Sequence, residues 1–407
     1  MSDHSSTASV IGRPEPLRAA GHPTPSPQGN WPAVASVALM SFVLVLSEFL
    51  PIGLLPVIGS SLHVSVGTVG LVVVVPGLTA AVTAPLLTIA SGKLDRRRVL
   101  IALAVSFTAS NVVAALAPDM PVMAVARILL GVAVGGFWAM GAGVAARLVP
   151  AQAVHRATAL ITAGISAGTV VSLPLGALIG HLAGWRTAFF IAAGAALLAL
   201  AALAWRLPSL PPTGAIRMAT LTSSLRNRGA RLALLATALI FLGHFAAYTY
   251  ITPYLEDRAH FGSSAVTLTL LGYGVAGLAG NFAAGAIIGR SLRTVYSIAA
   301  VLVAASVILL NTLTGAAPAV IVLVVLWGAA FGAVPLALQT WILQASPDAP
   351  ESGLALLVSV LQISLAAGSL VGGLIVDGYG VSTGFAFGGI LALLSAATQI
   401  FTRVSRA

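Results

Sequence analysis

Charge is what this sequence has least of. Only 7% of its 407 residues are charged, with ten acids against twenty basic residues, whereas a soluble domain carries roughly a quarter. A water-soluble fold is excluded, because 58% of the chain is hydrophobic and a soluble surface made from so few polar residues would not cover it. Cysteine is absent, which rules out disulfides and thiolate-ligated metal sites. No metal and no cofactor are expected. Lysine occurs once, at Lys93. A phosphate-binding loop ending there would need glycine at 87 and serine or threonine at 94, where Leu87 and Leu94 stand, so the energy source is a gradient rather than ATP. Gly164-Ile165-Ser166-Ala167-Gly168 matches the Gly-x-Ser-x-Gly pattern of hydrolases, but it lies inside an apolar helix without the strand-to-helix turn that exposes such a serine. Ser166 is therefore not a nucleophile, and no enzyme is expected.

What the chain does have is apolar runs. Twelve stretches of about 20 residues recur between short polar breaks, each long enough to cross a bilayer as a helix. The predicted organisation is an all-α polytopic membrane protein. Residues 1–30 form a disordered tail with no cleaved signal. Residues 31–207 form one six-helix bundle, 208–231 a linker with Pro208, Pro211 and Pro212, 232–402 a second bundle, and 403–407 a short tail. An even number of spans puts both termini on one side. Arg13, Arg18, Lys93, Arg96, Arg97, Arg98, Arg147, Arg156, Arg206, Arg217, Arg226, Arg228, Arg231, Arg290, Arg293, Arg403 and Arg406 share that side, against Arg186 and Arg258 on the other. Basic loops stay in the cytoplasm, so both termini are expected there. The net charge of +10 is a topology signal, and no nucleic-acid partner is implied.

The two bundles repeat. Shifting the sequence by 197 residues matches Pro56 with Pro253, Gly77 with Gly274, Gly92 with Gly289, Pro121 with Pro318, Gly131 with Gly328, Gly135 with Gly332 and Pro150 with Pro347, and Arg96 lands on Arg293. These are helix breakers and close-packing glycines, where backbone geometry is most constrained. An offset of six helices predicts parallel repeats with the substrate site between them near the midplane, and alternating access by rocking of the halves.

Glu48 is the one acid inside a predicted span, and a charge at mid-membrane costs roughly 2.5–3.5 kcal/mol on insertion scales, so it is the candidate proton carrier. The loop Gly92-Lys93-Leu94-Asp95-Arg96-Arg97-Arg98 sets one acid among cations, a candidate conformational latch through Gly92, Asp95, Arg96 and Arg97. The fourth span carries Arg127 ahead of Gly131 and Gly135, a small-residue packing face with one cation.

The Asp-Arg-Arg loop, Arg127 with its glycines, and Gly168, Pro174, Gly176, Gly180 and Gly184-Trp185-Arg186 resemble the major facilitator superfamily, more narrowly its drug/proton antiporter branch. Ser47-Glu48-Phe49-Leu50-Pro51 resembles the opening of that branch's small-solute exporters. Within the branch, the segments at 135–140, 147–150, 207–211, 249–251 and 340–342 resemble exporters of purine ribonucleosides. The loop lacks the usual glycine after Asp95, and Leu173-Pro174 replaces the usual Gly-Pro. The resemblance implies a proton-coupled antiporter of the bacterial inner membrane, monomeric, exporting a purine ribonucleoside such as inosine or guanosine. Multidrug, amphenicol or sugar efflux is the alternative. His244, near the repeat equivalent of Ser47, is expected to face the cavity and relay protons with Glu48. Arg127, Trp138, Tyr248, Tyr250, Asn281, Gln339, Trp341 and Gln362 are the expected cavity residues, offering aromatic faces and amides suited to a flat polar heterocycle.

Overall fold

The computed structural model describes residues 29–90, 94–141, 144–211, 227–313, 315–347 and 350–401. Gly92, most of the linker and nearly all of both tails lie outside them. Within the described residues, twelve helices are long and apolar enough to cross a membrane: α1 (Trp31–Leu62), α2 (Val66–Ala84), α3 (Arg96–Leu116), α4 (Met120–Trp138), α5 (Ala151–Ala183), α6 (Trp185–Arg206), α7 (Arg228–Tyr248), α8 (Ser263–Ile287), α9 (Leu292–Leu309), α10 (Ala317–Ala345), α11 (Leu356–Tyr379) and α12 (Val381–Gln399).

Local chemistry marks their ends. Asn30, Ser65, Asp95, Asn227 and Ser291 each accept a main-chain N–H of the first turn that follows them, meeting donors that a helix start leaves unpaired. The Asn227 cap starts α7 at Arg228, inside the stretch expected to be linker. Gly184 at φ 81° separates α5 from α6, and Gly380 at φ 85° separates α11 from α12. Only glycine takes that backbone conformation freely, and the same junction recurs in each half. Two helices carry breaks. In α1 the turns tighten to a 3₁₀ segment at Leu50–Leu54, where Pro51 withholds an N–H and its ring crowds the preceding turn. Beyond α7 the chain continues through a short turn at Ile251–Pro253 and a wide turn at Tyr254–Arg258.

The halves pack alike. In the first, α1 lies on α5 and α6, α2 on α4, and α3 on α4 and α6; in the second, α7 lies on α11 and α12, α8 on α10, and α9 on α10 and α12. The repeated glycines explain part of this. A Cβ added to Gly131 or Gly135 of α4 would press on the carbonyls of Pro76 and Ala80 in α2, and one added to Gly328 or Gly332 of α10 would press on those of Tyr273 and Gly277 in α8. Each of these residues in the second half is its counterpart plus 197.

The halves meet along α2 with α11 and α5 with α8, two contacts exchanged by the same repeat. At one, Gly77 approaches Gln362 and Ala366; at the other, its equivalent Gly274 approaches Val170. On α5, Ser172, Leu173, Pro174, Gly176 and Ala177 are buried, whereas Thr158, Ala159, Leu160, Thr162 and Ala163, nearer the face that carries Arg147 and Arg231, are exposed. The neighbouring α2, α8 and α11 follow the same gradient. The halves therefore close at the face opposite the basic one and separate toward the basic face.

Candidate functional site

The site begins with a missing hydrogen bond. In a regular helix the Ser47 carbonyl would accept from the amide four residues on, but that residue is Pro51, which has no N–H. The Leu46 carbonyl still receives the Leu50 amide, so the defect is confined to Ser47, directly before Glu48. Arg127 fills it. Its Nη1 donates to the Ser47 oxygen over 3.2 Å, and its guanidinium lies 5.0 Å from the centre of the Phe189 ring in α6.

Glu48 is 4% exposed and Arg127 is fully buried. The charged group acting on the Glu48 carboxyl is Arg127 from α4, and from α11, in the other half, the neutral amide of Gln362 faces it. Of the two residues that act on this carboxyl, Arg127 has Nε and Nη2 and Gln362 has Nε2 buried with no hydrogen-bond partner, and Ser47 Oγ, one residue before Glu48, is buried and unpartnered too. Unpaired buried donors are costly.

Next to it, α7, α8 and α10 build an aromatic cluster. The His244 ring stacks on Phe331 at 3.3 Å between centroids and on Tyr248 at 4.7 Å, and Tyr248 lies 5.0 Å from Tyr273. The Trp327 indole donates to His244 Nδ1 over 3.1 Å, so this nitrogen is an unprotonated acceptor and the ring proton sits on Nε2. The cluster meets α1 where Phe49 stacks on Phe245, 6.0 Å between centroids.

These helices, repeats and buried charges coincide with a family match: the model described as Major Facilitator Superfamily aligns with residues 37–352 and 234–406. The chain belongs to the Major Facilitator Superfamily. It is accordingly a multi-pass membrane transporter of small molecules and not an enzyme. It is 36% identical over 390 residues to the transcription regulatory protein OpdE of Pseudomonas aeruginosa, covering 94% of this chain and 96% of the relative. It is 34% identical over 367 residues to the purine ribonucleoside efflux pump NepI of Salmonella enteritidis, covering 90% and 92%. Solved structures with the same fold include the nucleoside transporter NupG (TM-score 0.75, 13% identity, 91% of this chain and 98% of that one) and a D-xylose–proton symporter (0.72, 18%, 91% and 96%).

Within this superfamily fold the expected cavity residues are distributed. Glu48, Arg127 and Gln362 converge; His244 and Tyr248 lie in the aromatic cluster. Tyr250 is fully buried away from both, donating from its hydroxyl to the Ser369 carbonyl over 2.9 Å and filling the space beside Gly70 of α2. Trp341 packs edge-on against Tyr296 of α9, and Trp138 against Phe137. Asn281 is half-buried and Gln339 exposed. A Cβ added to Gly168 or Gly176 of α5 would press on the carbonyls of Phe42 and Leu50 in α1, and Pro174 is buried between them. Ser166 is half-buried in the same helix.

The candidate latch has specific partners. Asp95 accepts the Arg97 amide at 2.8 Å, the Leu210 amide at 3.0 Å and the Ser209 hydroxyl, while Arg97 donates to the Ala204 carbonyl at 2.8 Å and the Arg96 amide to the Leu210 carbonyl at 2.9 Å. Partial burial pushes the Asp95 carboxyl up, but these bonds and the Arg98 charge outweigh it and hold the carboxyl below its ordinary value. The loop thus grips the chain leaving α6.

Sequence reasoning passed over the contacts at the opposite face. Asp377 of α11 accepts the Ser65 hydroxyl at 2.5 Å and the Gly67 amide at 2.7 Å, capping α2 of the other half. Glu256 lies 3.7 Å from His181 of α5.

Proposed function

We propose that this transporter exports purine ribonucleosides, inosine or guanosine among them, in exchange for protons, as a monomer in the bacterial inner membrane with its basic face in the cytoplasm. The observation that carries the reading is Glu48, a buried carboxyl placed between the halves with unpaired donors around it. An ionised carboxylate accepts hydrogen bonds from the N–H and O–H groups of a nucleoside, and a protonated one is a far weaker acceptor. Proton and substrate then compete for one group, which is the requirement for antiport. The unpaired donors of Arg127 and Gln362 suit the carbonyl and ring-nitrogen acceptors of a purine, and Tyr248, Tyr273 and Phe331 offer faces for stacking. The relatives at 34% identity support this substrate class, and the excess of basic residues supports the orientation.

The packing supports alternating access: with the halves closed at the opposite face the site would open toward the basic face, and rocking about the α2–α11 and α5–α8 contacts would reverse that. The test is counterflow of labelled inosine in proteoliposomes, with and without a pH gradient. Gradient-driven accumulation is expected in the parent chain and its loss in Glu48→Gln, with exchange still measurable in the variant. Vesicles that move a sugar or chloramphenicol but not inosine would replace the substrate, and inosine binding without movement would make the protein a sensor.

A further inference from the structure

Gln362 stands apart from the other polar groups that act on the Glu48 carboxyl. It belongs to the second half, while Glu48, Ser47 and Arg127 belong to the first. Its main chain lies at the α2–α11 crossing, where a Cβ on Gly77 would press on the Gln362 carbonyl and the Ala366 side chain. Such a close crossing leaves little room for either backbone to shift, so the two helices turn about it more readily than they slide. From this crossing the Gln362 side chain faces the Glu48 carboxyl, and its Nε2 is buried with no hydrogen-bond partner.

The chemistry of the amide matters here. Arg127 is a donor only and has no atom that could accept the O–H of a protonated carboxyl. A glutamine side chain donates through Nε2 to a carboxylate and accepts through Oε1 from a carboxylic acid, so it engages both states with opposite ends. We propose that Gln362 is a positioning residue that transmits the protonation state of Glu48 across the interface to the second half, at the point about which the halves rotate. The proposal rests on the reading that Glu48 carries the proton. On the other elements packed near Glu48, Arg127 is the charged neighbour, and His244 on α7 is engaged by Trp327 and Phe331 of α10.

The chain has no native cysteine, so spin labels can be placed by Ser60→Cys in the first half and Ser263→Cys in the second, both exposed and both at the opposite face. Their distance distribution in lipid nanodiscs is read between about pH 5.5 and pH 8 without substrate. In the parent chain the open fraction is expected to change about tenfold, within the usual range of coupling between sites. In Gln362→Leu it should change less than about twofold, and Gln362→Asn should restore part of the response. A residue that only filled space would lower thermal stability while leaving the pH response intact, and that result in Gln362→Leu would overturn the proposal. Should Gln362→Leu fail to elute as a single species, the volume-matched Gln362→Met carries the same test. Glu48→Gln separates the two readings. If it loses the pH response while Gln362→Leu keeps it, the transmission is wrong and the proton carrier stands; if Glu48→Gln keeps the response, the proton carrier is wrong.

Discussion

Arg127 of α4 donates to the Ser47 carbonyl of α1, the one oxygen in that stretch that Pro51 leaves without its helical partner. A cation thus repairs a proline defect beside the buried acid, and the two features depend on each other. Arg127→Leu should destabilise the protein by about 1–3 kcal/mol, the usual range for orphaning a buried polar group. In a Pro51→Ala background, where residue 51 regains its N–H, the same substitution should cost measurably less. A thermal-unfolding double-mutant cycle reads the coupling; simple additivity would show that Pro51 is not why Arg127 is needed there.

Asp377 caps a helix of the other half through Ser65 and Gly67, so its hydrogen bonds exist only while the opposite face is closed. Losing a cap costs about 0.5–2 kcal/mol, which moves a two-state balance by roughly twofold to thirtyfold. Asp377→Ala should therefore raise the labelling rate of a cysteine introduced at the half-buried Val66 several-fold, with Asp377→Asn intermediate. Unchanged labelling would mean that the cap does not hold the face shut.

The Glu256–His181 contact predicts a pH effect with a definite sign. Burial raises the Glu256 carboxyl, His181 lowers it and Asp257 raises it again, leaving it above the ordinary carboxylate value. Opening the face rehydrates Glu256 and removes that elevation. Its contribution to closure is therefore fully present below the ordinary value near 4.5 and lost as pH rises through the raised one. Crosslinking across the face, followed from about pH 4 to pH 8, should slow through this window in the parent chain and stay flat there in Glu256→Gln.

Much of the architecture was legible because its signals are local. A bilayer demands long apolar runs, and these place the twelve spans, whereas the break at Pro51 and the cap at Asn227, inside the expected linker, were not read from the sequence. The glycine pairs Gly131/Gly328 and Gly135/Gly332 were visible as a repeat, and the structure adds what they touch. The site was legible only in part. Glu48 stands out as an acid in an apolar run, but that Arg127 and Gln362 share its surroundings depends on how α1, α4 and α11 cross. Asp377 capping Ser65 joins residues more than three hundred positions apart, and no local pattern marks such a cap. Tyr250 drew notice for its ring, whereas its role comes from the space beside Gly70 and Gly373 that its hydroxyl fills.

Asp95 is the N-cap of α3 and also the anchor for Ser209 and Leu210. Asp95→Ala should cost about 1 kcal/mol through the cap alone and free the start of the linker. Limited proteolysis between residues 207 and 211 should accelerate in Asp95→Ala, while Ser209→Ala, which spares the cap, should accelerate cleavage less. Equal rates in both variants and the parent would remove the loop from any role in holding the linker.

The repeated packing predicts matched failures. Gly135→Val and Gly332→Val each drive a side chain into a facing carbonyl and should lower the melting temperature of purified protein alike, by overpacking of about 1–3 kcal/mol or more. Gly194→Ala in α6, with nothing within 4 Å of the added Cβ, should be neutral or slightly stabilising, because alanine is the better helix former by about 1 kcal/mol.

The two crossings between the halves, Gly77 on α11 and Gly274 on α5, are one contact used twice. A half-length chain with a single such glycine would carry both sides of that contact and would pair with its own copy about a two-fold axis, as isologous dimers do. Joining two copies in one polypeptide preserves the axis and releases each copy from having to match the other. Position 48 is an acid in one half and Phe245 at the same place in the other. A self-paired dimer would have to bury two such carboxylates about one axis, and the fused chain buries one.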